Sequence, residues 1–244
     1  MAAGKSPERH VAAAGAALKQ EAVFGADLLR RHGWRLLLVF AGLLLPLWGF
    51  AELAEEIHEQ EAIVFDEPIL RLAHQLAGAR LDRFFVVVSK LGYLQGVVPF
   101  DLALVLALTL MRRSREATFA AVALGGAALL NLAAKYAFAR VRPSLWLSIS
   151  PETTFSFPSG HAMGSATLAC VLIAMAWGTR WRWPVVALAG TLAFAVGLSR
   201  VYLGVHYPSD ILAGWAAATA WALASYLIVF RGGARPWRTA TVTR

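Results

Sequence analysis

Six apolar runs, each long enough to cross a lipid bilayer, constrain this chain more than any other feature of its sequence. Numbered 1 to 6 in chain order, they cover residues 36–54, 91–111, 117–138, 162–178, 183–199 and 211–230. A membrane-spanning helix needs about 20 predominantly apolar residues. Buried helices of soluble proteins are also apolar, but a chain with 16% charged residues has too little polar surface to cover six of them. The sequence therefore predicts an all-α integral membrane protein with six transmembrane helices.

The basic residues follow an orientation pattern rather than a nucleic-acid-binding pattern. The formal net charge is +8, but the cations stand at the ends of the apolar runs and do not cluster on one element. With a cytoplasmic N-terminus, the basic segments before run 1, between runs 2 and 3, between runs 4 and 5, and after run 6 all lie on the cytoplasmic side, as the positive-inside rule requires. We therefore expect both termini in the cytoplasm, membrane lipids around the chain, and no nucleic-acid partner.

The segments outside the runs indicate one membrane domain with two tails. We expect a cytoplasmic tail over 1–34, either a surface helix or partly ordered, then a six-span domain over 35–232 and a cytoplasmic tail over 233–244. Acidic residues rather than small ones follow run 1, so we interpret it as an uncleaved anchor. Between runs 1 and 2, helical spacing predicts an amphipathic helix on the outer surface, with the apolar residues Ile69, Leu70, Ala73, Leu76 and Ala77.

Two residues inside the runs receive structural interpretations. Cys170 is the single cysteine, so it forms no intramolecular disulfide and no CxxC site. Asp101 interrupts run 2, and an ionisable residue at that depth usually has a partner or a task. We favour a packing role for Asp101, because nothing else in run 2 indicates catalysis.

Three short blocks in the second half of the chain carry the chemistry. Together they supply three cations, two imidazoles, a carboxylate and a Ser-Gly turn. Such groups hold a phosphate, attack it and protonate the group that leaves. The blocks are Lys135-x6-Arg142-Pro143, Pro158-Ser159-Gly160-His161 and Ser199-Arg200-x5-His206-x3-Asp210.

Lys135 and Arg142 are seven residues apart. If the helix of run 3 continues that far, both cations lie on one face, and Arg140 lies off that face. Pro143 then turns the chain into the loop that follows. Alternatively, the two cations are snorkelling side chains at the lipid interface.

The other two blocks also have simpler interpretations when each is taken alone. Ser159 and Gly160 open a helix whose free N–H groups bind an anion, or Ser159 is an ordinary N-cap and His161 an interfacial histidine. Asp210 falls near the third position of the last helix. There it holds one ring nitrogen of His206, or it complements the helix N-terminus.

The alternation of the spans brings the three blocks to one membrane surface. Run 3 ends near Lys135, and run 4 begins at the same surface, after His161. Runs 4 and 5 return the chain there at Arg200, and run 6 begins just after His206. The three blocks therefore meet although 75 residues separate Lys135 from Asp210. We predict one anion-binding site at the outer face.

This pattern of motifs resembles the type 2 phosphatidic acid phosphatase (PAP2) family, which is related to vanadium haloperoxidases. All eleven signature positions are present, over about residues 90–230. The resemblance implies a PAP2-type bundle in which His206 attacks phosphorus and forms a phosphohistidine, Asp210 orients the ring, and His161 protonates the leaving oxygen. It also implies that the phosphoryl oxygens are held by Lys135, Arg142, Ser159, Gly160 and Arg200.

The resemblance further implies a metal-independent lipid phosphatase without a cofactor, in the cytoplasmic (inner) membrane and with its site on the periplasmic or extracellular face. It ranks undecaprenyl pyrophosphate first among substrates. Phosphatidic acid, phosphatidylglycerol phosphate and lipid A phosphates follow. Two alternatives remain: a lipid phosphotransferase that uses the same phosphohistidine, and a non-catalytic protein that binds or transports lipid phosphates.

Overall fold

A computed structural model describes residues 36–231 together with residues 30, 33 and 236. The chain divides into two compact units, Met1–Gly42 and Leu43–Arg244, and the site lies in the second. The predicted tails, 1–34 and 233–244, therefore lie almost entirely outside the described residues.

The described part of the second unit is helical. Its α-helices are α1 (Leu45–His58), α2 (Asp66–Gln75), α3 (Ala79–Leu91), α4 (Val97–Leu110), α5 (Ser114–Phe138), α6 (Gly160–Ala176), α7 (Arg182–Tyr202) and α8 (Pro208–Val229). A short π-helical segment, Phe40–Leu44, precedes α1 in the chain. The all-α prediction is confirmed for these residues.

Four described helices are long and apolar enough to cross a membrane. They are Leu36–His58, α5, α7 and α8. Two shorter apolar helices, α4 and α6, coincide with runs 2 and 4. Run 2 was predicted to begin at residue 91, but Leu91 ends α3 and the turn before α4 contains Gly96. A Cβ at Gly96 would overlap the backbone of Leu91, so this turn needs a glycine.

The segment between runs 1 and 2 forms two helices, α2 and α3, where one amphipathic helix was predicted. Leu70 of α2 is completely buried, whereas Ile69 is 41% exposed and Leu76, at the end of the helix, is 62% exposed. Leu70 packs with Ala162 and Ile211 of the bundle. The buried side of α2 therefore packs against the helix bundle, whereas another part of its apolar surface stays exposed.

Helix α6 lies at the centre of the bundle and packs against α5, α7 and α8. Membrane helices associate mainly through packing, and small side chains let their backbones approach closely. The buried cluster at this junction is composed mostly of alanines: Ala127, Met163, Ala166, Ala169, Ala189, Ala193 and Ala218.

Helix α5 ends before the second cation of its motif. Ala139 adopts a left-handed backbone with φ +45°, which an L-residue rarely extends into further helix. The expectation that one helix carries Lys135 and Arg142 on a common face is therefore wrong. Arg142 instead approaches the site from the loop 139–159.

Candidate active site

His206 and Asp210 form a buried pair at the start of α8. The His206 side chain is 1% exposed and that of Asp210 is 0% exposed, and His206 Nδ1 lies 3.3 Å from Asp210 Oδ2. Asp210 occupies the third position of α8, as predicted, and it also accepts the backbone N–H of Tyr207 at 2.9 Å. Both interpretations of Asp210 therefore hold: one carboxylate caps the helix and contacts the imidazole.

The contacts of His206 define its tautomer. Arg142 Nη1 lies 3.0 Å from His206 Nε2, and a guanidinium has no acceptor atom. Nε2 must then accept, so the ring proton is on Nδ1, facing Asp210. Burial lowers the pKa of His206 to about 4; Asp210 opposes this shift, and Arg142 and Arg200 add to it. At neutral pH the ring is therefore neutral, with its lone pair on Nε2.

The three predicted cations all reach this part of the protein. Lys135 donates to the carbonyl oxygen of Phe155, and Arg142 donates to the carbonyl of Val205 at 2.7 Å. Burial also lowers the pKa of Arg142, against the effect of nearby carboxylates. Arg200, at the end of α7, is 1% exposed, and its Nε has no hydrogen-bond partner among the described residues.

Glu152, which the sequence analysis did not identify, lies among these cations. Its carboxylate accepts from Arg142 Nη2 at 3.0 Å and from Arg200 Nη2. The same carboxylate lies 3.8 Å from His161 Nδ1. An anionic group of the protein itself therefore binds two of the cations that the motifs assign to an anion.

The Pro158–His161 block begins α6. Ser159 is the N-cap of this helix, because its Oγ accepts the N–H of Ala162 at 3.4 Å. A Cβ at Gly160 would come within 2.9 Å of Asn131 Oδ1, so this position favours glycine. The His161 ring lies over Tyr93 with centroids 4.7 Å apart. The N-cap interpretation of Ser159 is confirmed, and its contact with phosphate stays a prediction.

A cavity of about 790 Å³ is lined by residues from all three motif blocks. The polar residues Lys135, Glu152, His161, Arg200 and His206 line it, together with apolar residues such as Leu124 and Leu132. Among the described residues, no group of three or more His, Cys, Asp or Glu side chains is placed to hold a metal ion. The cavity thus combines fixed cations with an apolar wall.

Asp101 also lines this cavity. Its Oδ1 is buried without a hydrogen-bond partner in the described part of the chain. The predicted packing role is therefore not supported by a polar contact at that oxygen.

Arg140 and Asp66 are two further residues that sequence reasoning missed. Arg140 was predicted to lie off the face of the site, yet its Nη1 donates to Asp210 Oδ1 at 2.6 Å. Asp66 of α2 binds the other end of the same guanidinium at 2.8 Å. The contacts of Arg140 join residues 70 and 74 positions apart, so no local pattern could report them. The one available sign in the sequence was the charge of Arg140 beside the first motif block.

Comparisons with known proteins agree with the motifs. The family model described as the PAP2 superfamily matches residues 116–234. The chain is 31% identical to phosphatidylglycerophosphatase B of Bacillus subtilis over 68% of its own length and 84% of that protein. It is 30% identical to an undecaprenyl-diphosphatase of Sulfolobus acidocaldarius, over 75% and 84% of the two chains.

A solved structure gives the same result at the level of the fold. The crystal structure of a transmembrane PAP2-type phosphatidylglycerolphosphate phosphatase from Bacillus subtilis superposes with a TM-score of 0.67 and 26% identity. It covers 76% of this chain and 94% of that one. With residues from all three motif blocks lining one cavity and its relatives matched over most of their length, the chain is an integral membrane protein that belongs to the PAP2 superfamily.

Proposed function

We propose that this protein is a membrane lipid phosphatase that hydrolyses a lipid phosphomonoester or pyrophosphate through a phosphohistidine on His206. One observation carries the proposal: the Nε2 lone pair of a neutral, buried His206 points toward Arg142, while Asp210 holds the opposite ring nitrogen. A nucleophilic histidine needs its ring proton held on the opposite nitrogen, because only the unprotonated nitrogen can attack. Arg142 Nη1, which donates to Nε2 in this structure, must leave this lone pair before the attack.

The proposed reaction has two steps. In the first, His206 Nε2 attacks phosphorus, the bond from phosphorus to the leaving oxygen breaks, and His161 donates a proton to that oxygen. In the second, water attacks phosphorus, the P–N bond breaks, and His161 takes a proton from the water. Free phosphate leaves and both histidines return to their starting protonation states.

The proposed phosphate-binding groups are Lys135, Arg142 and Arg200 with Ser159 and Gly160. Fixed cations aimed at developing negative charge stabilise a transition state without reorganising. Because the three cations supply this charge, we infer that the reaction needs no metal ion. The phosphoryl oxygens would take the place of the Glu152 carboxylate, which binds Arg142 and Arg200 in this structure.

We infer the orientation in the membrane from the charges of the loops. We infer six spans, corresponding to the Leu36–His58 helix, α4, α5, α6, α7 and α8, within a single domain over 35–232 and between cytoplasmic tails over 1–34 and 233–244. The site then lies at the outer face of the cytoplasmic membrane, with α2 on the outer membrane surface. The segment at 112–115, rich in arginine, supports this side as cytoplasmic.

The substrate proposal rests on the cavity and on the relatives. An apolar wall beside the cations suits a lipid phosphate better than a soluble one. We rank undecaprenyl pyrophosphate first, then phosphatidic acid, phosphatidylglycerol phosphate and lipid A phosphates. The names of the two relatives, an undecaprenyl-diphosphatase and a phosphatidylglycerophosphatase, support two members of this set.

Phosphate release from a panel of these lipids tests the function. Purified protein in detergent should release free phosphate from at least one of them without any added acceptor, and a His206→Ala variant should release none. Phosphate transfer that requires an acceptor lipid would instead identify a phosphotransferase. Binding of the lipids without turnover would identify a binding or transport protein.

A further inference from the structure

Arg140 bridges two buried carboxylates from distant parts of the chain. Its Nη1 donates to Asp210 Oδ1 at 2.6 Å and to Ser209 Oγ at 2.8 Å. Its Nη2 donates to Asp66 Oδ2 at 2.8 Å. The guanidinium also stacks on Tyr207, with Cζ 4.1 Å from the ring centroid. Contacts on several sides therefore hold the Arg140 guanidinium in place.

Asp66 is itself held by the first turn of α8. Asp66 Oδ1 accepts the N–H of Ser209 at 2.9 Å, and Asp66 Oδ2 accepts the Ser209 hydroxyl at 2.5 Å. The Asp66 side chain is 5% exposed. Because Asp66 belongs to α2, which packs on α7 and α8, the segment between runs 1 and 2 contributes directly to the surroundings of the catalytic pair.

We propose that Arg140, held in place by Asp66, is a positioning residue for the nucleophile of the reaction. It fixes one oxygen of Asp210, so that the other oxygen stays aligned with Nδ1 of His206. This inference rests on the proposed function, and it adds two residues that lie outside the three motif blocks.

The charges explain why the bridge is needed. Asp210 is fully buried, and a buried carboxylate stays ionised only when it is paired or well hydrogen-bonded. Arg140 supplies the cation on one side of Asp210, and the hydroxyl of Ser156 donates on the side that faces His206. Burial tends to lower the pKa of Arg140, but Asp210 and Asp66 outweigh it and raise the pKa. The bridge therefore remains charged throughout the working pH range.

The bridge also influences the protonation of His206. The groups that face His206 are Asp210, Arg142, Arg200, His161, Lys135 and Glu152. Those that face Arg140 are Asp66, Asp210 and Tyr207. Removing the Arg140 cation leaves the Asp210 charge less compensated, which favours the imidazolium form of His206. Removing the Asp66 charge has the opposite effect, because Arg140 is then fully available to Asp210.

Variants at the two positions test this inference. In Arg140→Met, kcat should fall about 10- to 100-fold, the range found when partners that orient metal-binding histidines are removed, and KM should change little. The acid limb of kcat/KM against pH should move to higher pH in Arg140→Met and to lower pH, or not at all, in Asp66→Asn. Arg140→Lys should recover only part of the loss, because an ammonium group cannot span both carboxylates.

The exposed pair Arg71–Glu67, also in α2, provides matched controls. Arg71→Met and Glu67→Gln make the same chemical changes outside the site and should leave kcat and the pH profile as in the wild type. If Arg140→Met and Arg140→Lys lower only the midpoint of thermal unfolding and keep wild-type kcat and acid limb, the positioning role is wrong.

The double variant Asp66→Asn/Arg140→Met adds a second criterion. Because Asp66 acts through Arg140, the double variant should lose no more activity than Arg140→Met alone. Fully additive losses would mean that the two residues act independently, which contradicts the proposal. A wild-type protein that fails to release phosphate would instead contradict the proposed function, so the two failures are distinguishable.

Discussion

Replacement of Glu152 by glutamine tests whether its carboxylate occupies the phosphate site. Glu152 accepts two charge-assisted hydrogen bonds, from Arg142 and Arg200, and in the proposed mechanism an incoming phosphoryl group must break both. Glutamine has nearly the same size but carries no charge. The variant should therefore bind an anion more tightly, because the competing group holds the two arginines less strongly.

The magnitude follows from the two contacts. A hydrogen bond to a charged group contributes about 1.5–3 kcal/mol and a neutral one about 0.5–1.5 kcal/mol. Glutamine has a single acceptor oxygen, so one of the two hydrogen bonds is lost and the other loses its anionic acceptor, which weakens the competing interaction by about 2 kcal/mol in all. The Glu152 side chain is 26% exposed, so solvent screening reduces this value. A difference of about 1.4 kcal/mol is tenfold, and we expect inorganic phosphate to bind about tenfold more tightly.

The assay is competitive inhibition of lipid phosphate hydrolysis by inorganic phosphate and by orthovanadate. The inhibition constants of both should fall in Glu152→Gln, and product release should slow. Glu116→Gln provides the control, because Glu116 pairs with Arg113 at 2.9 Å at the opposite end of α5. Inhibition constants that are unchanged or higher in Glu152→Gln would refute the competition and would mean that the carboxylate helps to hold the arginines for the substrate.

Three further predictions concern the metal, the orientation and the two histidines. Activity should persist in excess EDTA, and a loss that magnesium restores would contradict metal independence. In a Cys170→Ala background, an impermeant maleimide should label a cysteine at Thr153 but not one at Ser114 in intact cells; the reverse result would invert the topology. His206→Ala should abolish turnover and any acid-labile phosphoenzyme, whereas His161→Ala should retain part of its first-step rate on an activated aryl phosphate. In the proposed mechanism His206 attacks only when neutral, and its pKa is lowered to about 4, so its own protonation should reduce kcat/KM only as the pH falls toward 4. Phosphate found on Ser159 after rapid quench would overturn the assignment of His206 as the nucleophile.

The helices and the His206–Asp210 pair were predictable because local patterns encode them. Apolar runs of bilayer length produce helices wherever the chain places them. His206 and Asp210 are four residues apart at a helix start, so their approach needs only the geometry of the first turn. The boundaries differed by a few residues, and α4 begins at Val97 rather than at residue 91 because a glycine turn intervenes.

The loop 139–159 was not predictable in the same way. Its path depends on where α5 ends, and a single left-handed residue, Ala139, ended the helix before Arg142. The charges of Arg140 and Glu152 were visible in the sequence, but Arg200 lies 48 positions from Glu152 and Asp66 lies 74 positions from Arg140. Contacts at such separations depend on the packing of whole helices, which no local pattern reports.

The amino-acid sequence was therefore sufficient to predict a helical membrane protein of the PAP2 family and eight residues of its candidate site. Only the tertiary structure placed Glu152 among the cations and Arg140 between Asp66 and Asp210. The two kinds of feature differ in the range of the interactions that produce them. Helix formation and capping act within a few residues of the chain, whereas a buried charge takes whatever partner the packed bundle brings within hydrogen-bonding distance.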